Sequence, residues 1–540
     1  MEFLDVFIKK TNPFVNQKMG TSGIRKKTKI FQQENYLENF IQSVFSVVGA
    51  KNKVIFIGGD GRFYNNLALQ VIIKIAIANS VKKIFIAKDC LCSTPAFSMF
   101  IRKNFIDFGI LLSASHNIAG ENGDFGIKIN LQNGAPCSID LSEKINRYCE
   151  QINEFLIANI VDVDVSNIKT FNIRETEISV VDGVSFYLKE MENIFNFDKI
   201  DGLLKDKDFY FKYDGMYAIT SLYAKELFTN KFFVEDKNLL RCELKNDYNG
   251  ISPDPSPFNN KILWEQDDLM ESKNNVFLCA SDGDGDRNLI MGKKGFFINP
   301  CDSLAVLTHY HYLVPFYKNL HGVARSCATS NAVDIVAKAL SLPLYIVPTG
   351  WKFFANLMDN NKISLCGEES FGTSSLHIRE KDGIWAILFW LNVLAETKKN
   401  TIEIMDDFYK KYGRVFFNRI DYENIDSNLI ELWMQNLKNN LNNSLENLGV
   451  KKYYNFDYHD LISDEIIKNQ AFIIEFLNDF KVVLRKSGTG TSGETLRIYL
   501  SGFKKYDSNI VGIDSKVYLQ NLFLKLKNMM GILIDCSNIV

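Results

Sequence analysis

The amino-acid sequence predicts a multidomain α/β protein, and three observations carry that expectation. The chain has 540 residues, enough for about three to four domains of typical size. Residues 1–130 alternate short β-branched runs with helical patterns, as strand–helix–strand crossovers on a mainly parallel sheet do. Four times, a short apolar strand runs directly into a polar, mostly Gly-rich loop. In α/β sheets the chemistry lies just past the carboxyl ends of strands.

Taken in order, Val54–Ile57 reads as a strand ending at Gly58-Gly59, and Tyr64–Asn79 follows with helical period. Ile84–Ala87 is a second strand, Pro95–Lys103 a second helix and Phe108–Leu112 a third strand. That third strand opens the first of the four transitions, into Ser113-Ala-Ser-His-Asn117. Val276–Ala280 leads into Ser281-Asp-Gly-Asp-Gly-Asp-Arg287, Ile363–Cys366 into Gly367-Glu-Glu-Ser-Phe-Gly372, and Lys481–Leu484 into Arg485-Lys-Ser-Gly-Thr-Gly-Thr491. Their spacing of roughly one domain length suggests that each of several domains lends one loop to a shared cleft. The Asn- and Leu-rich stretch 424–447 is compatible with a helix, and 495–500 alternates like a strand.

Composition excludes several classes. Hydrophobic residues make up 46% and charged residues 23% of the chain, the balance of a globular protein with ordinary cores. Lys and Arg number 62 against 64 Asp and Glu, a net charge of −2, without the basic surplus of a nucleic-acid binder. Met1–Lys10 lacks a basic lead and apolar stretch, so no secretory signal is read. The most apolar helical run, Ile384–Ala395, falls short of the roughly 18 residues a bilayer span needs. Ten cysteines run from Cys90 to Cys536 with no C-x-x-C spacing. They are expected to be small buried apolar residues, not disulfide partners or zinc ligands. The expectation is a cytoplasmic protein with no transmembrane segment and no nucleic-acid partner.

The loops supply the chemistry. Asp282, Asp284 and Asp286 alternate with glycines, a spacing that can turn three carboxylates toward one hard divalent ion such as Mg²⁺. An EF-hand is rejected, because Arg287 stands where that loop needs Gly and Lys293 where it needs Glu. Adjacent Ser115 and His116 do not make a hydrolase triad, and no G-x-S-x-G elbow is present. Beside a divalent ion, however, a phosphorylated Ser115 is a natural metal ligand and phosphoryl donor. Gly488, Gly490 and Gly493 spell G-x-G-x-x-G, but a dinucleotide fingerprint must open a helix. A phosphate cradle is the better reading, with backbone N–H groups, the hydroxyls of Ser487, Thr489 and Thr491, and Arg485 or Arg497. Glu368, Glu369 and Ser370 offer acceptors to the hydroxyls of a polyol.

Together these segments resemble the α-D-phosphohexomutases, and among them the eukaryotic-type, glucose-specific phosphoglucomutases. The likeness runs through Gly20-Thr-Ser-Gly-Ile-Arg25, Gly58-Gly-Asp-Gly-Arg62, Ser113–Asn117 and Asn122-Gly-Asp-Phe-Gly-Ile-Lys128. It continues through Asp282–Arg287, Val347-Pro-Thr-Gly-Trp-Lys352, Gly367–Gly372, His377–Gly383 and Arg485–Gly490.

The resemblance implies four domains around a central cleft: three similar α/β domains with mixed sheets, then a C-terminal α+β domain of helices on an antiparallel sheet. On that pattern residues 1–190 carry the phosphoserine loop, 191–302 the metal loop, 303–408 the sugar-binding loop and 409–540 the phosphate-binding loop. It further implies that Ser115 carries the transferable phosphate, with Mg²⁺ held by Asp282, Asp284, Asp286 and a phosphoserine oxygen. His116 and Lys128 match residues that assist proton transfer, Arg287 completes the catalytic set, and Arg25 and Lys381 line the same site. Thr349, Gly350 and Trp351 match a loop that distinguishes two sugar orientations, and Glu368 and Ser370 the loop that binds sugar hydroxyls. Arg485, Ser487, Gly488, Thr489 and Arg497 match the holder of the non-reacting phosphate. The implied reaction interconverts α-D-glucose 1-phosphate and glucose 6-phosphate through glucose 1,6-bisphosphate, which also serves as primer.

Glu-Ser-Phe-Gly in the sugar loop looks like the glucose type. Rival readings are a mutase for another phosphohexose and a catalytically silent scaffold or trafficking protein of the same fold. The intact Ser115, aspartates and Arg287 count against silence. The sequence leaves monomer and dimer equally open. One departure stands out: the family's T-A-S-H-N-P-G-G loop reads Ser113-Ala-Ser-His-Asn-Ile118-Ala119-Gly120 here. Ser113 keeps the hydroxyl of the usual Thr, while Ile118 and Ala119 are expected to alter loop rigidity and turnover.

Overall fold

A computed structural model describes residues 5–20, 23–265, 268–462, 464–488 and 494–533. The chain divides into two units. One comprises Met1–Phe297, Tyr312–Lys318 and Phe371–Asn400, and the other Ile298–His311, Asn319–Ser370 and Thr401–Val540.

The first unit is built on a seven-stranded sheet whose spatial order is Ile24–Lys27, Asp124–Leu131, Phe108–Leu112, Val54–Gly59, Lys83–Leu91, Thr176–Val181, Thr170–Ile173. The four strands Phe108–Leu112, Val54–Gly59, Lys83–Leu91 and Thr176–Val181 are mutually parallel. The outer pairings are antiparallel. The β-branched runs become these central strands because both of their faces are covered. Helix Asn65–Ala78 buries Ala68, Leu69, Ile72, Ile73 and Ala76, and also Ile75 and Ile77, more of its surface than a single amphipathic stripe. Helix Thr94–Lys103 starts where the Ser93 hydroxyl accepts from the Ala96 amide at 3.4 Å, with Pro95 in its first turn; both are helix-start devices. That helix lies so close to the sheet that a β-carbon on Gly109 would stand 2.5 Å from the Phe97 ring.

A second sheet in this unit runs Leu239–Leu240, Phe209–Asp214, Asn275–Ser281, Asn288–Met291. Its first three strands are parallel and the last turns back antiparallel, pairing Ser281 with Asn288. The acidic run 282–287 is therefore the whole connection between two paired strands. Strand Val6–Lys10 pairs separately with Glu154–Ala158. The apolar run around Ile384 is a buried helix, Gly383–Thr397, capped by the Asp382 carboxylate accepting from the Trp385 amide at 3.0 Å. Among the described residues no helix is long and apolar enough to cross a membrane.

In the second unit, parallel strands Leu344–Val347, Val323–Ser326 and Leu365–Glu368 lie in that order. An antiparallel sheet follows in the order Arg414–Ile425, Glu494–Lys504, Phe480–Gly488, Ile466–Phe476, Val450–His459. Helices Ser427–Ser444 and Ser515–Met530 accompany it, and the Tyr518 ring stacks 4.0 Å from that of Phe416. The fold is thus mixed α/β with a C-terminal antiparallel sheet. The stretch read as helix-compatible is Ser427–Ser444, and the residues after Gly493 form a strand, which disposes of a dinucleotide fingerprint there.

Gly109→Ala is expected to destabilise the first unit by about 1–3 kcal/mol, because the added methyl overpacks the strand–helix contact. A lower midpoint in urea unfolding checks this.

Candidate functional site

In the first unit, the predicted residues converge where strand Phe108–Leu112 ends. Ser115 is 3% exposed and sits at φ 53°, in the left-handed region that costs a non-glycine residue about 1–3 kcal/mol and persists only where its surroundings impose it. Here they do. The Ser115 amide donates to the Ser113 hydroxyl at 2.9 Å, and its carbonyl accepts from the Arg62 guanidinium at 2.8 Å. The Ser115 hydroxyl donates to the Asp282 carboxylate at 3.1 Å and lies 3.3 Å from Nδ1 of His116.

The three aspartates turn inward as their spacing suggested. Each offers a carboxylate oxygen, and these oxygens lie within 4.8 Å of one another. All three residues are buried. Asp284 is held by Lys128 at 2.5 Å, by the Thr94 hydroxyl at 2.7 Å and by the Ser113 hydroxyl at 3.1 Å. Lys381 stands 3.3 Å from Asp286. Arg287 reaches Asp254 at 2.7 Å and approaches Asp282 and Asp286 at 3.8 and 3.9 Å. Burial and the charges of Asp286 and Asp284 push the Asp282 carboxyl well above the usual range. Asp284 goes the other way: although burial opposes its charge, Lys128 and Thr94 hold it ionised. Lys128 is in turn kept protonated by Asp284 and Asp286 against its own burial. Burial, then Arg287, Arg25 and Lys381, depress the His116 imidazole well below its ordinary value, so it is neutral. Burial also lowers Arg25, which the fields of Asp284 and Asp286 partly offset.

The donor set fits a hard divalent cation. Oδ1 of Asp284 and Oδ1 of Asp286 are buried without a hydrogen-bond partner, and leaving a buried charged oxygen unsatisfied is costly. All available ligands are carboxylate oxygens, with a serine oxygen beside them, which suits Mg²⁺ and not a thiolate-seeking metal.

Close backbone approach makes this geometry possible. A β-carbon on Gly283 would lie 2.4 Å from the Ser115 carbonyl oxygen, so only glycine lets the acidic loop sit against the serine loop. Residues 252–254 brace both. The Ser252 hydroxyl donates to the His116 carbonyl at 2.9 Å, the Pro253 carbonyl accepts from the Gly283 amide at 3.1 Å, and Asp254 anchors Arg287. The unusual pair in the serine loop is accommodated without loss of a functional group. Ile118 is 48% exposed and its carbonyl accepts from the Asp124 amide at 2.8 Å, while Ala119 is buried against Ala218 and Tyr248.

A second constellation lies in the second unit. Glu368 ends strand Leu365–Glu368, and its carboxylate accepts from the Gly350 amide at 3.1 Å. Gly350 sits at φ 131° just before helix Trp351–Asp359. The Thr349 hydroxyl and the Trp351 indole nitrogen are buried without hydrogen-bond partners. Glu369 binds the hydroxyls of Ser326 and Thr329 at 3.1 and 3.2 Å; Ser370, which follows, is half-buried. Arg485 and Arg497 are direct partners across two antiparallel strands. Like charges directly opposite each other disfavour a strand pair, and Asp421 lies 3.5 Å from Arg497. Ser487 and Gly488 close the Arg485 strand, pairing with Thr495 and Glu494. Thr489 lies outside the described residues.

The family models described as phosphoglucomutase/phosphomannomutase alpha/beta/alpha domain I and domain III match residues 16–155 and 300–412, and that for the phosphoglucomutase-1 C-terminal domain matches 414–533. The chain is 42% identical to a phosphoglucomutase of Aspergillus fumigatus, over 96% of this chain and 97% of that one. It therefore belongs to the phosphoglucomutase/phosphomannomutase family. It is also 39% identical to phosphoglucomutase-1 of Oryctolagus cuniculus, over 95% of each chain. Among solved structures, the exocytosis-sensitive phosphoprotein parafusin, a phosphoglucomutase of Paramecium in its open form, superposes with a TM-score of 0.90. It is 38% identical, over 98% of this chain and 97% of that one.

Several residues of this family member escaped the sequence reading. Thr94, Asp254, Ser252 and Tyr248 carry no local pattern that singles them out; each acquires its contact from a segment distant in sequence. Asp60 and Arg62 were visible as part of Gly58–Arg62, but nothing in the run discloses that they reach the serine loop.

Gly283→Ala is expected to force the serine and acidic loops apart and weaken the affinity of the three aspartates for a divalent cation by about tenfold or more, since a backbone contact of that kind relaxes poorly. Calorimetric titration with Mg²⁺ measures it directly.

Proposed function

We propose that this protein is a phosphoglucomutase, an isomerase that interconverts α-D-glucose 1-phosphate and glucose 6-phosphate by way of a phosphorylated Ser115. The observation that carries the reading is the buried Ser115 hydroxyl, held in a left-handed backbone conformation 3.1 Å from Asp282 of the three-carboxylate cluster. Relatives across the whole chain bear the same name.

In the proposed cycle, the phosphorus–oxygen bond to Ser115 breaks as one forms to the free sugar hydroxyl, giving glucose 1,6-bisphosphate. The other phosphate then returns to Ser115, and the same bisphosphate primes an unphosphorylated enzyme. Phosphoryl transfer asks a protein chiefly for positioning and charge stabilisation. Neutral His116, 3.3 Å from the Ser115 hydroxyl, suits the acceptor of a hydroxyl proton. Lys128, kept cationic by Asp284, suits a donor to phosphoryl oxygens in preference to a base. Arg287, Arg25 and Lys381 add positive charge around the transferring group. Mg²⁺ on Asp282, Asp284, Asp286 and a phosphoserine oxygen would supply a further concentrated positive charge. For the substrate we assign the sugar hydroxyls to Glu368 and Ser370, the choice between orientations to Thr349, Gly350 and Trp351, and the non-reacting phosphate to Arg485, Ser487, Gly488, Thr489 and Arg497. The direct cross-strand pairing of Arg485 with Arg497 supports the last assignment, because two neighbouring arginines suit an anion.

Ser115→Ala is expected to abolish mutase turnover in a coupled assay of glucose 1-phosphate conversion while leaving the circular dichroism spectrum unchanged. Wild-type activity in that variant would defeat the assignment. Intact-mass measurement should show a phosphate on the wild-type protein that the variant lacks. Asp284→Asn is expected to lower Mg²⁺-dependent kcat by about 100-fold or more, since it removes an anionic ligand and the partner of Lys128. A titration of activity against Mg²⁺ reads that loss.

A further inference from the structure

Beneath the serine loop lies a buried charged group that the proposed cycle does not use. The side chains of Asp60 and Arg62 are both 0% exposed. Nε of Arg62 donates to the Asp60 carboxylate at 3.0 Å, and one terminal nitrogen donates to the same carboxylate at 2.8 Å. That nitrogen also donates to the Ser115 carbonyl at 2.8 Å and meets the Tyr248 hydroxyl at 3.4 Å. The other terminal nitrogen donates to the Asp124 carbonyl at 2.8 Å. The guanidinium carbon lies 5.5 Å from the centre of the Tyr248 ring, in reach of a cation–π attraction.

Ser115 and Asp124 stand at the two ends of a tight loop, and one rigid plane holds the carbonyls of both. The contacts fix the peptide plane that follows Ser115, and the Gly283 backbone lies so near that a β-carbon there would stand 2.4 Å from the same carbonyl oxygen. A left-handed serine persists only where its neighbours over-determine it. The Ser115 side chain takes its direction from that backbone, so the aim of its hydroxyl at Asp282 depends on where its carbonyl is tied.

We infer that Arg62, clamped by Asp60 and Tyr248, is the positioning residue that holds Ser115 in its reactive backbone conformation. The inference rests on the mutase reading of Ser115 and deepens it. Lysine in its place keeps a positive charge opposite Asp60 but brings all its donors from one point. It cannot bind a carboxylate side-on and two separated carbonyls at once. The charge is thereby retained and the clamp removed.

The test compares Arg62→Lys with Ile73→Ala, a core variant in the helix Asn65–Ala78 remote in role from the serine loop. Mutase kinetics, melting temperature and backbone amide exchange across residues 113–124 are measured for both and for the wild type. Arg62→Lys is expected to lower kcat by about 30-fold with KM changed less than about threefold, the pattern of a lost transition-state arrangement. Exchange in 113–124 should quicken by about tenfold. Ile73→Ala, at an equal or larger loss of melting temperature, should keep wild-type kcat and wild-type exchange there. The clamp is refuted if Arg62→Lys stays within about threefold of wild-type kcat, or if its losses merely match those of Ile73→Ala. Should Arg62→Lys not fold, Tyr248→Phe decides: a kcat reduced by about two- to fivefold with faster exchange supports the clamp, and wild-type values in both overturn it. A wild-type chain without mutase turnover would sink the mutase reading instead, and amide exchange would still judge the clamp.

Discussion

Three carboxylates buried within 4.8 Å of one another are the constraint on which the first unit's site depends. Removing like charges from water and bringing them together is prohibitive unless positive charge meets them. The chain answers with Lys128 on Asp284, Lys381 near Asp286, and Arg287 near Asp282 and Asp286. These contacts come from strand Asp124–Leu131, the residues leading into helix Gly383–Thr397, and the acidic loop itself. Even so, Asp282 is driven toward its neutral form and two carboxylate oxygens have no hydrogen bond. The neighbouring cations thus leave part of the cluster's negative charge unmet, which fits it to a divalent ion.

Backbone proximity is the second requirement, because a carboxylate cluster is useful to Ser115 only if the two loops touch. Glycine at 283 permits the touch, and the bracing run Ser252-Pro253-Asp254 maintains it from a third direction. Ala119 shows how a departure from the family's usual loop is absorbed. Its methyl enters a small apolar cluster with Ala218 and Tyr248, and Tyr248 is the residue that also backs Arg62.

Much of this was legible in the residues. The strands Val54–Gly59, Phe108–Leu112 and Asn275–Ser281 and the helices Asn65–Ala78 and Thr94–Lys103 follow from apolar periodicity and local capping, which short windows record. The alternation of Asp and Gly at 282–286 pointed three carboxylates at one centre, and they gather there, because spacing along one loop limits where its side chains can go. The apolar run near Ile384, too short for a bilayer span, is the buried helix Gly383–Thr397. Other features had no local signature. That Asp254 would anchor Arg287, that Thr94 would bind Asp284 across 190 positions, and that Ser115 would take a left-handed φ are consequences of where separate elements come to rest.

The division has a physical basis. Periodicity, turn chemistry and the identity of ligating groups are properties of neighbouring residues, so the sequence by itself determined the α/β class, the Ser115 and aspartate loops and the basic residues near the Gly-rich run, while the pairing of Arg485 with Arg497 came from strand register. Protonation and strain are properties of an environment. Only the tertiary structure decided that Lys128 stays charged, that His116 stays neutral and that Ser115 is held by Arg62. Each of those outcomes is set by burial and by charges supplied from segments remote along the chain.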